Sequence, residues 1–249
     1  MILSGVLSQR CSDRFYDSVW DSCLLACTFD GAVGSTSGYS DLKGHVVSEI
    51  GSSSTYYVVR EAGQFGSAAR FTARSGTENS KALRVAHVSK EFDLTTGSWT
   101  IGAWVKGGSG PVCSTIETMS SWVRGWNFLV NTSTGQMTFG GGVNSSGTSQ
   151  HYRTATNATY VTSGFNYVEV CCDGYYWYFF WNGHLIGKET RLTLTENPNV
   201  NCLLIGRSVL QETQWAETAS FALDNLMVAK GVCMHTADFT PPTITFPDA

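Results

Sequence analysis

The sequence predicts an all-β protein, an antiparallel β-sandwich, and three observations carry that prediction. Two turn dipeptides, Asp173-Gly174 and Asn182-Gly183, flank the aromatic run Tyr175–Trp181. They supply the positive φ angles that two-residue hairpin turns need. Twenty-six glycines punctuate short stretches rich in Val, Tyr, Phe and Trp along the 249 residues, the rhythm of many short strands. No segment carries apolar residues at helical spacing between caps. The length suits one large all-β domain with short extensions.

Met1–Ser22 places Arg10, Asp13, Arg14, Asp17 and Asp21 among Phe15, Tyr16, Val19 and Trp20, with no turn-and-strand rhythm. It is either an N-terminal arm that anchors the domain to a partner or a first strand and loop. Leu24–Phe29 is the first clear strand and ends at Asp30-Gly31; Ala68–Ala73 follows the turn region of Gly63 and Gly66. In Trp99–Lys106, residues Trp99, Ile101, Ala103 and Val105 share one face and Trp104 takes the other. Gly125–Asn131 and Gln136–Gly140 flank the turn Thr132–Gly135. Phe165–Cys172, Tyr175–Trp181 and His184–Gly187 form a three-stranded meander. Cys202–Arg207 and Ser220–Ala229 complete the strands. The last is apolar on both faces, with Phe221, Leu223, Asn225 and Met227 opposite Ala222, Asp224, Leu226 and Val228, so it belongs in a buried position. Short helical turns are expected near Ser208–Ala216 or Met234–Phe239. Pro241, Pro242 and Pro247 stiffen the end. The expected organisation is an arm at 1–22, a sandwich at 23–239 and a Pro-rich tail at 240–249.

Charged residues make up 14% of the chain and hydrophobic ones 42%, which excludes a disordered chain and a coiled coil. A net charge of −4 argues against nucleic acid as a partner, because that affinity comes from Lys and Arg on phosphates. No stretch reaches the ~18 apolar residues of a membrane span, so no membrane insertion is expected. Met1–Leu7 is interrupted by Ser4 and Gly5 and lacks a basic leading region, unlike a signal peptide. Cys11, Cys23, Cys27, Cys113, Cys171, Cys172, Cys202 and Cys233 show no paired C-x-x-C spacing. They read as buried free thiols, with Cys171 and Cys172 on opposite faces of one strand. The sequons at Asn131, Asn144 and Asn157 read as chance in a chain rich in Asn, Ser and Thr.

The order of motifs resembles a concanavalin A-like jelly roll of the laminin G-like group. The pieces are ACTFDG (Ala26–Gly31), DLKGH (Asp41–His45), GQFGSAARF (Gly63–Phe71), SWTIGAWVK (Ser98–Lys106), CDGYYWYFFWNGHLIG (Cys172–Gly187), FALDNLMVAKGV (Phe221–Val232) and FTPPT (Phe239–Thr243). Together they span Cys23 to Thr243. The ending KGVCMHTADFTPPT is similar to laminin G-like domains of bacteriophage tail and other virion proteins. The resemblance implies a virion location, other virion proteins as partners, a homo-oligomer, and one structural Ca²⁺ where the first strand meets a late one. It places Asp30 and Asp224 as calcium candidates; a turn-capping role for Asp30 and a backbone or Arg partner for buried Asp224 are the alternatives.

Catalysis is not expected. Glycoside hydrolysis needs two carboxylates flanking the bond, and neither Glu117 nor Glu169 has a carboxylate at the required spacing. His87, His151 and His184 have no G-x-S-x-G elbow to serve. Sugar binding would use aromatic faces among Ser, Gly and Asn, which selects Trp122, Arg124, Trp126, His151, Tyr152 and Trp215; Trp126 and Tyr152 have a core role as the alternative. Trp99, Trp104, Trp177 and Trp181 are packing residues. The expected function is a non-enzymatic virion protein whose lectin-like domain aids attachment to host surface polysaccharide. A purely structural decoration or assembly protein is the alternative, and a glycoside hydrolase a distant third.

Overall fold

The computed structural model describes residues 19–72, 80–87, 90–116, 125–142, 150–195, 202–208 and 217–246. Their strands are β1 (Cys23–Cys27), β2 (Val47–Ile50), β3 (Val58–Ala62), β4 (Ser67–Phe71), β5 (Ala82–Ala86), β6 (Trp99–Lys106), β7 (Ser109–Ser114) and β8 (Trp126–Asn131). They continue with β9 (Gln136–Gly142), β10 (Gln150–Thr156), β11 (Asn166–Cys172), β12 (Tyr176–Trp181), β13 (His184–Thr190), β14 (Cys202–Ile205) and β15 (Ala222–Lys230). An eight-stranded sheet runs β13-β12-β11-β6-β15-β4-β3, with β1 also on β15, and a seven-stranded sheet runs β10-β9-β8-β7-β14-β5-β2. This is the antiparallel concanavalin A-like sandwich.

The local causes are those the sequence advertises. Asn182 and Gly183 turn with φ of 49° and 80°, so β12 and β13 join through a twist-matched hairpin. The Asp173 turn works differently. Its Oδ1 accepts the N–H groups of Tyr175 and Tyr176, each at 2.8 Å, and only Gly174 is left-handed, at 99°. On β6, Trp99, Ile101, Ala103 and Val105 enter the core. Trp104 faces outward and packs edge-on against Phe65 and Tyr167. Inside, Phe139 sits among Trp99, Trp126 and Trp177, with ring centroids 4.6, 5.9 and 5.0 Å away. Burial of such rings is the largest apolar contribution to this core.

Three expectations are corrected. Strict alternation along β15 fails, because Asn225 adopts φ of 45° and the register shifts between Asp224 and Met227. This bulge sends Phe221 and Leu223 inward before it, but Leu226 and Val228 after it. Residues 240–246 are not a free tail: Phe246 is buried with Cys23, Ala26 and Met227, and Trp20 packs 6.5 Å from its ring. Of the two places expected for a helical turn, Met234–Phe239 forms bends, and Ser208–Ala216 lies outside the described residues beyond Ser208. The described short helix is instead the 3₁₀ turn Ala158–Tyr160, capped by Asn157. Residues 1–18 and 247–249 lie outside the described residues. Among the described residues, no helix is long and apolar enough to cross a membrane.

Candidate functional site

Alternation on β8 sends Trp126, Phe128 and Val130 into the core, so Asn127 emerges on the outer face of the seven-stranded sheet. Register places it opposite Ser114 on β7 and Gly140 on β9, with Tyr152 of β10 opposite Gly140. A Cβ on Gly140 would lie 2.7 Å from Tyr152 Cδ1, so glycine lets the tyrosine ring lie close over the sheet. Ser114 donates to the Ser208 carbonyl at 2.7 Å, and Ser208 Oγ accepts the Glu217 N–H at 2.9 Å. Glu217 is thereby brought toward Tyr152. Burial, and then the negative charge of Glu217, push the Tyr152 hydroxyl up to about 12. Loss of solvation raises the Glu217 carboxyl in turn. Asn127 is 4% exposed, and its Oδ1 has no hydrogen-bond partner. An orphaned buried acceptor is rare in native structures and calls for a partner.

The same end of the sandwich carries a rim. Gly125 donates to the Thr195 carbonyl at 2.9 Å, and Thr195 donates to the Gly142 carbonyl; Arg191 donates to the Tyr175 carbonyl at 3.0 Å. Residues 191–195 therefore link the two sheets and bring Tyr175, 77% exposed, to this end. The residues bounding segments 117–124, 143–149 and 209–216 meet here as well. Ser114 Oγ accepts the Ile116 N–H, and Gln150 pairs with Gly142.

The six sugar candidates fare unequally. Trp122, Arg124 and Trp215 lie outside the described residues, on two of those bounded segments. Trp126 is corrected to a core residue: it is 0% exposed, and its indole N–H donates to the Phe92 carbonyl at 2.8 Å. His151 and Tyr152 are sequence neighbours on β10 and so point to opposite faces; only Tyr152 joins Asn127. Sequence reasoning missed Asn127, Glu217 and Tyr175. Asn127 reads as an ordinary solvent-face residue between Trp126 and Phe128, and nothing local marks Glu217. Tyr175 was visible as a tyrosine directly after a turn glycine.

The two calcium candidates meet at one turn. Asp30 Oδ1 accepts the Ser67 N–H at 3.0 Å, and Asp224 Oδ2 accepts the Phe65 N–H at 2.9 Å. A Cβ on Gly63 would stand 2.6 Å from Asp224 Oδ2, so glycine is required for that approach. Burial, reinforced by the charge of Asp30, pushes the Asp224 carboxyl up to about 7 against the pull of backbone amides. Asp224 Oδ1 is buried without a partner. Arg60, which sequence reasoning missed, is 3% exposed. It donates to the carbonyls of Phe29 and Gly38 and lies 4.3 Å over the Tyr39 ring, pinning the loop after β1. Among the described residues, no group of three or more His, Cys, Asp or Glu side chains is arranged for a metal. Two carboxylates, one of them with an orphaned oxygen, nonetheless fit a hard cation that completes its shell with carbonyls.

Glu169 is 0% exposed; one oxygen accepts from Tyr167 Oη at 3.0 Å and the other lies 2.7 Å from His235 Nδ1. It is an internal strut. Glu117 lies outside the described residues.

A laminin G-type family model, described as the concanavalin A-like lectin/glucanases superfamily, matches residues 75–234. Among solved structures, the binding domain of botulinum neurotoxin DC in complex with rat synaptotagmin II is similar at a TM-score of 0.58 and 11% identity, over 87% of this chain and 50% of that one. The binding domain of Paraclostridial mosquitocidal protein 1 gives 0.56 and 11%, over 86% and 50%. A structure of botulinum neurotoxin type C, whose cell entry is described as dependent on two ganglioside molecules, gives 0.55 and 12%, over 88% and 50%. The chain thus spans about half the length of these structures, and at such identities the likeness is one of fold. No curated protein sequence matches the chain. The first two of these neighbours are binding domains, and the chain shares their fold. It belongs to the concanavalin A-like lectin/glucanases superfamily.

Proposed function

We propose that this chain is a glycan-recognition module. Its contact surface is the outer face of the seven-stranded sheet at Asn127, Tyr152 and Glu217, with Tyr175 on the rim. The observation that carries this is the buried, unpartnered Asn127 Oδ1 on the same face as Tyr152, whose hydroxyl feels the Glu217 charge. A sugar hydroxyl that displaces the cover over Asn127 would supply the missing donor, Tyr152 or Tyr175 an apolar face for a pyranose, and Glu217 an acceptor for a further hydroxyl. Trp122, Arg124 and Trp215 belong to the same proposal through the segments bounded at this rim. The test is a glycan array followed by calorimetry on the best ligand, comparing wild type with Asn127→Ala and Tyr152→Ala. Binding that survives both substitutions would reject this surface.

The phage-like ending motivates the finer proposal that the module rides on a virion, as a homo-oligomer, and meets host surface polysaccharide. Removing Met1–Ser22 tests the anchoring part: particle incorporation should fail while binding to cells persists. We further propose that Asp30 and Asp224 hold one Ca²⁺, whose charge would stabilise the ionised form of Asp224. An unchanged melting temperature with EDTA would count against that ion.

A further inference from the structure

On β11, Cys172 points into the core and Cys171 outward, as alternation requires. The outward thiol meets the chain's own C-terminal segment. Cys233 Sγ lies 3.4 Å from Cys171 Sγ, and Cys171 Sγ is 2.9 Å from the His235 carbonyl. Around them Tyr178, Phe180, Leu185 and Phe239 exclude solvent from one side. Cys171 is buried, whereas Cys233 is partly exposed. Besides this contact, that segment is held by non-covalent interactions: Thr100 Oγ1 donates to the Val232 carbonyl, Met234 N–H to Thr100 Oγ1, Phe239 N–H to the Gly183 carbonyl and Leu185 N–H to Asp238 Oδ1, and His235 Nδ1 lies 2.7 Å from Glu169 Oε1. Nothing covalent fastens it.

We infer that Cys171 and Cys233 form a dithiol–disulfide site that cross-links the C-terminal segment to β11. The pair is asymmetric in the way thiol exchange requires. Solvent reaches Cys233 first. The hydrogen bond with Cys171 holds the Cys233 thiol below its usual range, and burial keeps Cys171 protonated. The facing ionisable groups are Glu169, Asp173 and His235, and the two carboxylates oppose a second thiolate. The oxidant is a small disulfide of the glutathione class. Cys233 thiolate attacks one of its sulfurs, forming a mixed disulfide and releasing one glutathione thiolate, which takes up a proton. Cys171 then loses its proton, attacks the Cys233 sulfur and expels the second glutathione thiolate, which is protonated in turn. Two thiols are oxidised, and one disulfide is reduced to two thiols.

The experiment incubates the folded protein with oxidised glutathione, blocks remaining thiols with iodoacetamide, and maps non-reduced peptides by mass spectrometry. The expected product is a Cys171–Cys233 peptide pair lighter by two hydrogen atoms. Cys171→Ser should stop at a stable glutathione adduct on Cys233. A wild-type protein that keeps that adduct, or that pairs Cys233 with another cysteine, would overturn the inference. An alkylation time course on the untreated protein needs no variant: Cys233 should react well before Cys171. Equal or reversed rates would also overturn it.

Discussion

The two outer faces of this sandwich are finished in different ways. The eight-stranded sheet is covered by the chain itself: Phe239 lies on Tyr167 and Phe180, Phe246 on Cys23 and Met227, and the Asp238 carboxylate accepts the Leu185 N–H. The seven-stranded sheet, at its β8–β10 side, shows paired Thr138 and Thr154 hydroxyls, a tyrosine over a glycine, and an asparagine oxygen with no donor. A face with an orphaned acceptor is where an external donor stabilises the protein most.

Substitutions should separate the two faces, beginning with the largest effect. Phe180→Ala, on the covered face and 0% exposed, should destabilise by about 3–5 kcal/mol in chemical denaturation, as large-to-small changes in packed aromatics do. Tyr152→Ala on the seven-stranded face should cost far less stability but weaken glycan binding. A similar stability loss at both sites would break the contrast.

Next in size is the effect of pH. The folded Asp224 carboxyl titrates at about 7 against an ordinary 3.8. Between those values the folded protein holds a proton that the unfolded chain has released, so stability falls as pH rises through the window, by roughly 4 kcal/mol in all. His45 acts in the same direction. Burial lowers its pKa, but hydrogen bonds to Asp41 and Glu91 outweigh that and raise it. Its contribution is complete below the unfolded value and is lost as pH rises through the folded one. Asp224→Asn should flatten the Asp224 part and make the protein more stable than wild type at pH 8 in EDTA. A bound calcium would reverse that ranking. Melting curves at pH 5 and 8, with and without calcium, distinguish the cases.

Closing the Cys171–Cys233 bridge, across a sequence separation of 62 residues, should add up to about 4 kcal/mol by restricting the unfolded chain. Dithiothreitol should remove that gain. Smallest of all, Asn127→Ala should change stability by less than ~1 kcal/mol, because it deletes a polar group that bonds to nothing in the free protein. Its consequence belongs to binding.

Much of the fold was legible because it rests on local chemistry: the Asn182-Gly183 turn, the alternation of Trp99–Val105, and the opposition of Cys171 and Cys172. Strands β2, β3, β5, β7 and β10 were not legible. β7 carries Gly110 and Pro111 at a bulge, and β10 lies on a sheet edge with no continuous apolar face. Their pairing depends on distant partners. The site divides along the same line. Tyr152 stood out as an aromatic among polar residues, yet Asn127 comes from another strand through cross-strand register, and Glu217 comes from the segment before β15 through Ser208 and Ser114. Trp126 misled because a tryptophan beside a glycine looks the same whether it faces water or core.

The most direct test of the Asn127 face is calorimetric titration of the best array glycan into wild type and Asn127→Ala at matched, verified fold. A loss of at least about tenfold in affinity, on the order of one lost hydrogen bond to a buried acceptor, with an unchanged melting temperature, is the predicted result. Equal affinity in the two proteins would contradict the assignment of this face as the glycan site.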